Sequence, residues 1–88
     1  MGNDLVKKRN YTVKYGTLRT LQEYADPYGL EVRREGLNRG FKLYRPDGEW
    51  QMVTDFVNNS IPLAIRERSH EEWAQIIKDN ALLLLAEK

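Results

Sequence analysis

The chain has 88 residues, of which 41% are hydrophobic and 31% are charged, and it contains no cysteine. This length allows one domain with a modest core, and the composition is typical of a soluble globular protein. The lack of cysteine excludes a disulfide framework and a thiolate zinc site. The longest purely apolar run, residues 81–86, is far shorter than the roughly 20 residues that span a bilayer, and the N-terminus has no apolar secretory segment. We therefore predict a cytoplasmic protein that makes no membrane contact.

Charge is unevenly distributed along the chain. Residues 1–45 carry ten Lys or Arg against five Asp or Glu, whereas residues 46–88 carry four against eight. This asymmetry predicts a basic pole and an acidic pole. Such a protein would contact an acidic partner through one face only.

The first fifteen residues differ in character from those that follow. Residues 1–10 are polar and contain three consecutive basic residues at 7–9, which indicates a flexible basic tail. Residues 11–15 alternate between apolar and polar side chains, as a short strand does. We predict one globular α+β domain over residues 11–88.

A helix is predicted over residues 17–25, "TLRTLQEYA", where apolar side chains recur at helical spacing. Thr17 is suited to the N-cap position. Asp26 precedes Pro27 and is therefore pushed out of the α region, which ends the helix.

Three strand candidates follow, at residues 30–35, 40–45 and 50–56, each with alternating or β-forming side chains. The Pro-Asp-Gly sequence at 46–48 contains the residue types that a tight hairpin turn requires. The loop at 35–40 is longer, and its two glycines allow positive φ.

The remainder is predicted to be helical. Ser60 and Pro62 have the form of a cap and an early-turn proline, which predicts a short helix over 62–67. Ser69 and Glu72 form a capping-box pattern at the start of a longer helix. Its apolar stripe consists of Trp73, Ile76, Ile77, Ala81 and Leu84.

This order of elements predicts an α+β fold. A small three-stranded antiparallel sheet, with a possible extra N-terminal strand, would pack one face against an N-terminal helix and one or two C-terminal helices. The predicted core consists of Leu18, Leu21, Leu30, Val32, Phe41, Leu43, Trp50, Met52, Trp73, Ile76 and Ile77.

The residue types that catalysis commonly uses are sparse. The single histidine, His70, follows the predicted cap Ser69, and adjacent helix residues do not face each other as a nucleophile and base must. No glycine-rich phosphate loop occurs. The acids at 67, 71 and 72 suit a helix start better than a metal site. We predict that the protein is not an enzyme and uses no metal and no cofactor.

The stretch "EVRREGLNRGFKLYR" (31–45) contains the strongest candidates for a binding site. Its outward-facing cations and aromatic ring, with Gln51 assigned to the same face, resemble what a single-stranded nucleic-acid platform uses for phosphates and bases. Two alternatives stay open: the face contacts an acidic protein surface, or it is simply the solvated side of an antiparallel sheet. The candidate binding residues are Arg33, Arg39, Lys42, Tyr44 and Arg45.

The four leucines at 82–85 sweep around most of a helix, so they cannot all pack on one sheet face. Leu82 and Leu85 lie away from the apolar stripe, which predicts a homodimer formed through this helix. The alternative is a helix wedged between the sheet and the segment at 60–68.

These observations predict a small non-enzymatic binding or regulatory module, of the size that phage and mobile-element genes often encode. In the leading version the basic hairpin face contacts nucleic acid. In the alternative version the chain is a protein–protein interaction module or a homodimeric adaptor or inhibitor, which acts through the sheet face or the leucine-rich helix.

A helix followed by "GLEVRREGLNRGFKLYRPDG" (29–48), a further strand and a helix resembles the HicA-type toxins over part of the chain. These are small ribonucleases with an αβββα fold like that of double-stranded-RNA-binding domains. Their first hairpin loop typically reads Gly-Ser-His with a catalytic histidine, whereas this chain has Gly36-Leu37-Asn38. Asparagine cannot perform acid–base catalysis at neutral pH. The resemblance therefore implies, as a remote alternative, an RNA-binding fold without the catalytic histidine.

Overall fold

The computed structural model describes residues 16–36 and 38–86, and it confirms the predicted α+β class. The strands form one antiparallel sheet in the order β1-β2-β3. The predicted tail at 1–10 and the possible extra strand at 11–15 lie outside the described residues. In chain order the elements are helix α1 (Leu18–Ala25), strand β1 (Glu31–Arg34), strand β2 (Phe41–Tyr44), strand β3 (Trp50–Met52) and helix α2 (His70–Ala86), with single 3-10 turns at Asp26–Tyr28 and Ile65–Glu67.

A tight turn between β2 and β3 helps to set the register of the sheet. Leu43 lies opposite Val32 on one side and opposite Gln51 on the other. In the turn, the amide of Gly48 donates to the carbonyl of Arg45 at 3.0 Å. Gly48 has a φ of 98°, which glycine adopts without strain. The predicted Pro-Asp-Gly hairpin is therefore confirmed.

The starts of both helices are capped as predicted. The Thr17 hydroxyl accepts a hydrogen bond from the amide of Thr20 at 3.3 Å. The Ser69 hydroxyl accepts from the amide of Glu72 at 3.2 Å, and the Glu72 carboxylate accepts from the amide of Ser69 at 2.8 Å. These reciprocal bonds satisfy amides that have no partner within the helix. Helix α1 ends at Ala25, where the prediction placed its end, but Asp26 stays in the α region with φ −54° and ψ −44° and begins the 3-10 turn, so the predicted reason for this end was wrong.

The core lies between the inner face of the sheet and the two helices. The rings of Phe41 and Trp73 meet edge to face, with centroids 5.5 Å apart. The indole N–H of Trp73 donates to the carbonyl of Ile65 at 2.7 Å, so its polar atom is satisfied within the core. The buried apolar residues are Leu21, Ala25, Leu30, Val32, Phe41, Leu43, Val53, Ile65, Trp73, Ile76, Ile77, Ala81 and Leu84.

Strand β3 faces the opposite way from the prediction. Trp50 is 48% exposed and Met52 is half-buried, so their assignment to the core was wrong, and Val53 is the buried residue. Gln51 faces inward because its amide donates to Asn80 of helix α2 at 3.0 Å. This hydrogen bond satisfies a polar side chain on the inner face and leaves the alternate residues on the outer one. The strand is also shorter than predicted and ends at Met52.

The segment between β3 and α2 does not contain the predicted helix over 62–67. Ser60 exchanges backbone hydrogen bonds with Asp55, at 2.8 and 3.1 Å, and its hydroxyl accepts from Arg68 at 2.9 Å. Both groups of Ser60 are therefore used to close a loop, so Ser60 does not cap a helix. Pro62 is buried, and only a single 3-10 turn at Ile65–Glu67 follows.

The side chain of Asn80, which is fully buried, joins helix α2 to the residues that follow β3. Its Oδ1 accepts from the amide of Thr54 and from Gln51, each at 3.0 Å. Its Nδ2 donates to the carbonyl of Thr54 at 2.8 Å and to the carbonyl of Ile76 at 2.7 Å. Both lone pairs and both protons of the amide are thus used. Two of these bonds bind Thr54 much as a neighbouring strand would.

We expect Asn80→Ala to lower the free energy of unfolding by roughly 2–4 kcal/mol, because it removes a fully buried amide and leaves the backbone groups of the half-buried Thr54 without these partners. Urea unfolding followed by circular dichroism measures this. Gln75→Ala is a matched control on the same helix, since it removes the exposed hydrogen bond from Gln75 to Asp79. The control is expected to cost less than about 0.5 kcal/mol. Equal losses in the two variants would contradict the role assigned to Asn80.

Asp55 is 2% exposed, and its carboxylate organises the loop at 56–59. Oδ1 accepts from the amides of Val57 and Asn58 at 3.1 and 3.0 Å. Oδ2 accepts from the side chains of Asn58 and Arg68, both at 2.8 Å. The Asn58 side chain, followed by its amide and by Arg68, lowers the pKa of Asp55 to about 2, although burial acts in the opposite direction.

We expect the free energy of unfolding to fall by about 2 kcal/mol between about pH 4 and pH 2 as Asp55 becomes protonated. The folded pKa of about 2 lies below the ordinary value of 3.8, so this stabilisation is complete above the ordinary value and is lost as the pH falls through the folded one. Urea unfolding at several pH values measures it. Asp55→Asn should remove this part of the pH dependence, whereas Asp79→Asn, which leaves Asp55 intact, should keep it. Identical pH profiles for wild type and Asp55→Asn would disprove the assignment.

Candidate partner-binding face

The sheet has a second face, opposite the helices, on which cations and aromatic rings alternate. Arg33 lies directly across from Lys42, and Tyr44 lies directly across from Trp50. Because side chains alternate along a strand, these residues share one side of the sheet. We call this surface the outer face; it consists of Glu31, Arg33, Lys42, Tyr44, Trp50 and Met52.

Each cation of the outer face lies over an aromatic ring. The guanidinium carbon of Arg33 is 4.2 Å from the ring centroid of Tyr44, and Nζ of Lys42 is 4.0 Å from that of Trp50. Both distances are well within the range of cation–π attraction. The two rings are 6.4 Å apart and tilted by 39°, so the two pairs lie side by side as one patch.

Each cation also has a carboxylate partner. Arg33 Nη2 is 3.2 Å from Glu31, and Lys42 Nζ is 3.2 Å from Glu35. The hydrogen bond and the charge of Glu31 raise the pKa of Arg33 above its ordinary value. The charges of these four side chains balance, so the middle of the outer face is aromatic and electrically neutral rather than basic.

An apolar rim extends the outer face beyond β3. Gly40 has a φ of 88°, and a Cβ placed there would lie 3.6 Å from Met52 Sδ and 3.7 Å from Ile61 Cγ2. The chain after β3 therefore passes close to the start of β2 and places Ile61 next to Met52. Ile61 remains exposed and adds apolar surface to the edge of the face.

Arg45 lies at the end of helix α2 rather than on the outer face. Its Nη1 donates to the carbonyl of Leu84 at 3.2 Å, and it forms an ion pair with Asp47 in the hairpin turn. The hydrogen bond from Arg45, followed by one from the amide of Glu49, lowers the pKa of Asp47. A cation at the negative end of a helix is favourable, so Arg45 connects the hairpin to α2.

Arg39 is exposed in the loop between β1 and β2, where its amide donates to the carbonyl of Gly36 at 3.2 Å. The structure therefore brings three of the five predicted binding residues together: Arg33, Lys42 and Tyr44. Sequence reasoning missed Trp50 and Met52 on this face. The alternation of residues 50–53 puts apolar side chains on both faces of the strand, so the local pattern does not show which face is buried.

The leucines at 82–85 divide as the helix geometry predicts. Leu84 is fully buried, whereas Leu82 is 51% exposed and Leu85 is 42% exposed. Leu83 is also exposed. They therefore do not all pack on the sheet, and an apolar strip remains at the end of α2.

Residues 16–36 and 38–86 contain no group of three or more His, Asp or Glu side chains that could hold a metal ion. Within the same ranges no helix has both the length and the apolar character needed to cross a membrane. His70 Nδ1 lies 3.2 Å from the hydroxyl of Tyr24, and the Ser69 hydroxyl is used in the helix cap.

The fold and the outer face define a small α+β protein with an exposed aromatic surface. Over 82 residues the chain is 60% identical to the "Modulator protein" of Escherichia phage P1, and the alignment covers 93% of this chain and 100% of the relative. The chain belongs to the family of this phage modulator protein. No family model and no solved structure matches the chain, so these comparisons give the HicA-type resemblance no support.

We expect weak self-association through Leu82 and Leu85, as the sequence predicts. Three half-exposed leucines offer much less than the roughly 800 Å² per partner of a stable interface, so the expected Kd is micromolar or weaker. The double variant Leu82→Glu with Leu85→Glu should sediment as a monomer at concentrations where the wild type shows dimer. Leu63→Glu, also at an exposed leucine, is the control. A wild type that stays monomeric at high micromolar concentration would refute this prediction.

Proposed function

We propose that the chain is a non-enzymatic regulatory protein that acts by docking its outer face onto a partner protein. The observation that carries the proposal is the patch formed by Trp50, Tyr44 and Arg33, in which a half-exposed tryptophan is held beside a second ring. These three residue types are the ones enriched at the energetic centres of protein interfaces. The name of the phage relative, "Modulator protein", fits a protein that alters the action of another molecule.

The contacts within the outer face favour a protein partner over a single-stranded nucleic acid. A base would have to displace Arg33 from Tyr44, or Lys42 from Trp50, before it could stack on these covered ring faces. A phosphate would compete with the carboxylates that already pair with both cations. A protein surface can pack on the face as it stands, because the side chains are already ordered.

Nucleic-acid contact is the second candidate, and a different surface supports it. A cleft of ≈ 530 Å³ at the start of α1 is lined by Arg34, Arg66 and Asn38. Neither arginine has a carboxylate partner among the residues that the structure describes. Arg39 adjoins Asn38 in the same loop, and the basic residues at 7–9 precede the cleft in sequence. Phosphate contacts at such a cleft would weaken steeply with salt.

The proposal that the protein is not an enzyme rests on how its candidate groups are used. Ser69 is part of a helix cap, and His70 lies against the hydroxyl of Tyr24 rather than against Ser69. General base catalysis requires the base within hydrogen-bond reach of the proton it removes. The described residues offer no such pairing between Ser69 and His70, which supports a function by binding.

A photo-crosslinking side chain on the outer face tests the docking proposal. Trp50→p-benzoylphenylalanine, produced in Escherichia cells carrying phage P1, should form an adduct that protease removes and nuclease does not. The same substitution at Glu23, exposed on helix α1, is the control and should form none. Adding Tyr44→Ala should lower the adduct yield by about tenfold if the patch carries the binding energy.

Two results would contradict docking of the outer face on a protein. The first is an adduct that nuclease removes, and the second is equal labelling at positions 50 and 23. The nucleic-acid candidate is tested separately by titrating fluorescent single- and double-stranded oligonucleotides at low and high salt. Arg34→Ala with Arg66→Ala should weaken that binding and reduce its salt dependence. No micromolar binding at low salt would exclude this candidate.

A further inference from the structure

Two large apolar side chains are exposed on the loop at 56–59. Val57 is 78% exposed, the highest value among the exposed large hydrophobic residues of the described chain, and Phe56 beside it is about half exposed. The loop is held firmly, because Asp55 accepts hydrogen bonds from Val57 and Asn58 and its backbone pairs with Ser60. Apolar side chains on a preorganised loop lose little freedom on binding.

A groove of ≈ 230 Å³ lies beside this loop. It is lined by Val57 and Asn58 from the loop and by Gln75 and Ile76 from helix α2. Ile76 is buried and provides an apolar floor. The space suits one apolar side chain. We call it the loop groove.

The rim of the loop groove is acidic. Glu71 and Glu72 line it and are exposed, and the lining residues that the structure describes include no Lys or Arg. The remaining acid, Asp55, is already paired with Arg68 at 2.8 Å. An apolar centre with a negative rim complements an apolar side chain that has basic neighbours.

We propose that the loop groove is a docking site for a partner-protein segment in which an apolar side chain is flanked by Lys or Arg. The apolar side chain enters between Val57 and Ile76, and the flanking cations meet Glu71 and Glu72. The groove is lined by helix α2, which packs on the side of the sheet away from the outer face. It is therefore a second contact surface, distinct from the one assigned to the proposed function.

Nuclear magnetic resonance of the full-length, isotope-labelled chain tests this proposal with three synthetic peptides. The first has a Leu-Val pair between lysine pairs, the second replaces Leu-Val by Ser-Ser, and the third replaces the lysines by glutamates. The first peptide should shift the amide signals of Val57, Asn58 and Ile76 with a submillimolar Kd. The second should bind about tenfold more weakly, and the third should show no saturable binding.

Substitutions at exposed residues test peptide binding without disturbing the packing of the core. Val57→Ser and Glu71→Lys should each weaken binding of the first peptide by about tenfold. Glu23→Lys makes the same charge change on helix α1 and should leave the binding unchanged. Equal binding of the first two peptides, or shifts confined to the outer face around Trp50, would overturn the assignment.

Discussion

The buried amide of Asn80 determines which way the last strand faces, and with it the composition of the outer face. Strand β3 has three residues, and within the part of the chain that the structure describes it pairs with β2 alone. The side chain of Asn80 takes the place of a further strand by forming hydrogen bonds with both the amide and the carbonyl of Thr54. It also holds Gln51 on the inner side. Since side chains alternate along a strand, Trp50 must then lie on the outer side, where it meets Tyr44 and Lys42.

A second buried polar group controls the segment that follows. Asp55 comes directly after Thr54, and its carboxylate connects the loop at 56–59 to Arg68, just before helix α2. A buried polar group that is fully hydrogen-bonded contributes modestly to net stability. An alternative packing that left the same group without a partner would be costly, so such groups favour one packing over others. Asn80 and Asp55 thus hold both ends of a stretch rich in exposed apolar side chains. Without the hydrogen bonds of Asn80 and Asp55, the backbone that carries Phe56, Val57 and Ile61 would be less well ordered.

The features that the sequence predicted correctly are those encoded locally. The caps at Thr17 and Ser69 and the Pro-Asp-Gly turn depend on residues at most three or four positions apart. Arg33, Lys42 and Tyr44 were placed on one face because Val32 and Leu43 beside them are buried. Trp50 was misplaced because its orientation depends on a hydrogen bond between residues 51 and 80, which no local pattern reveals. The loop groove was missed for the same reason, since the Asp55–Arg68 contact spans 13 residues.

The basic stretch at 31–45 illustrates why a count of charges does not identify a partner. Within this stretch Glu31 forms an ion pair with Arg33, and Glu35 forms one with Lys42. The two cations that lie over the rings are therefore neutralised by carboxylates of the same stretch. Arg45 is committed to the end of helix α2. The basic character that remains for a partner lies at the other end of the hairpin, with Arg34 and Arg39. The aromatic surface and the cationic one are therefore separate, although the sequence of this stretch alone suggests a single basic surface. A partner that uses the rings need not be acidic.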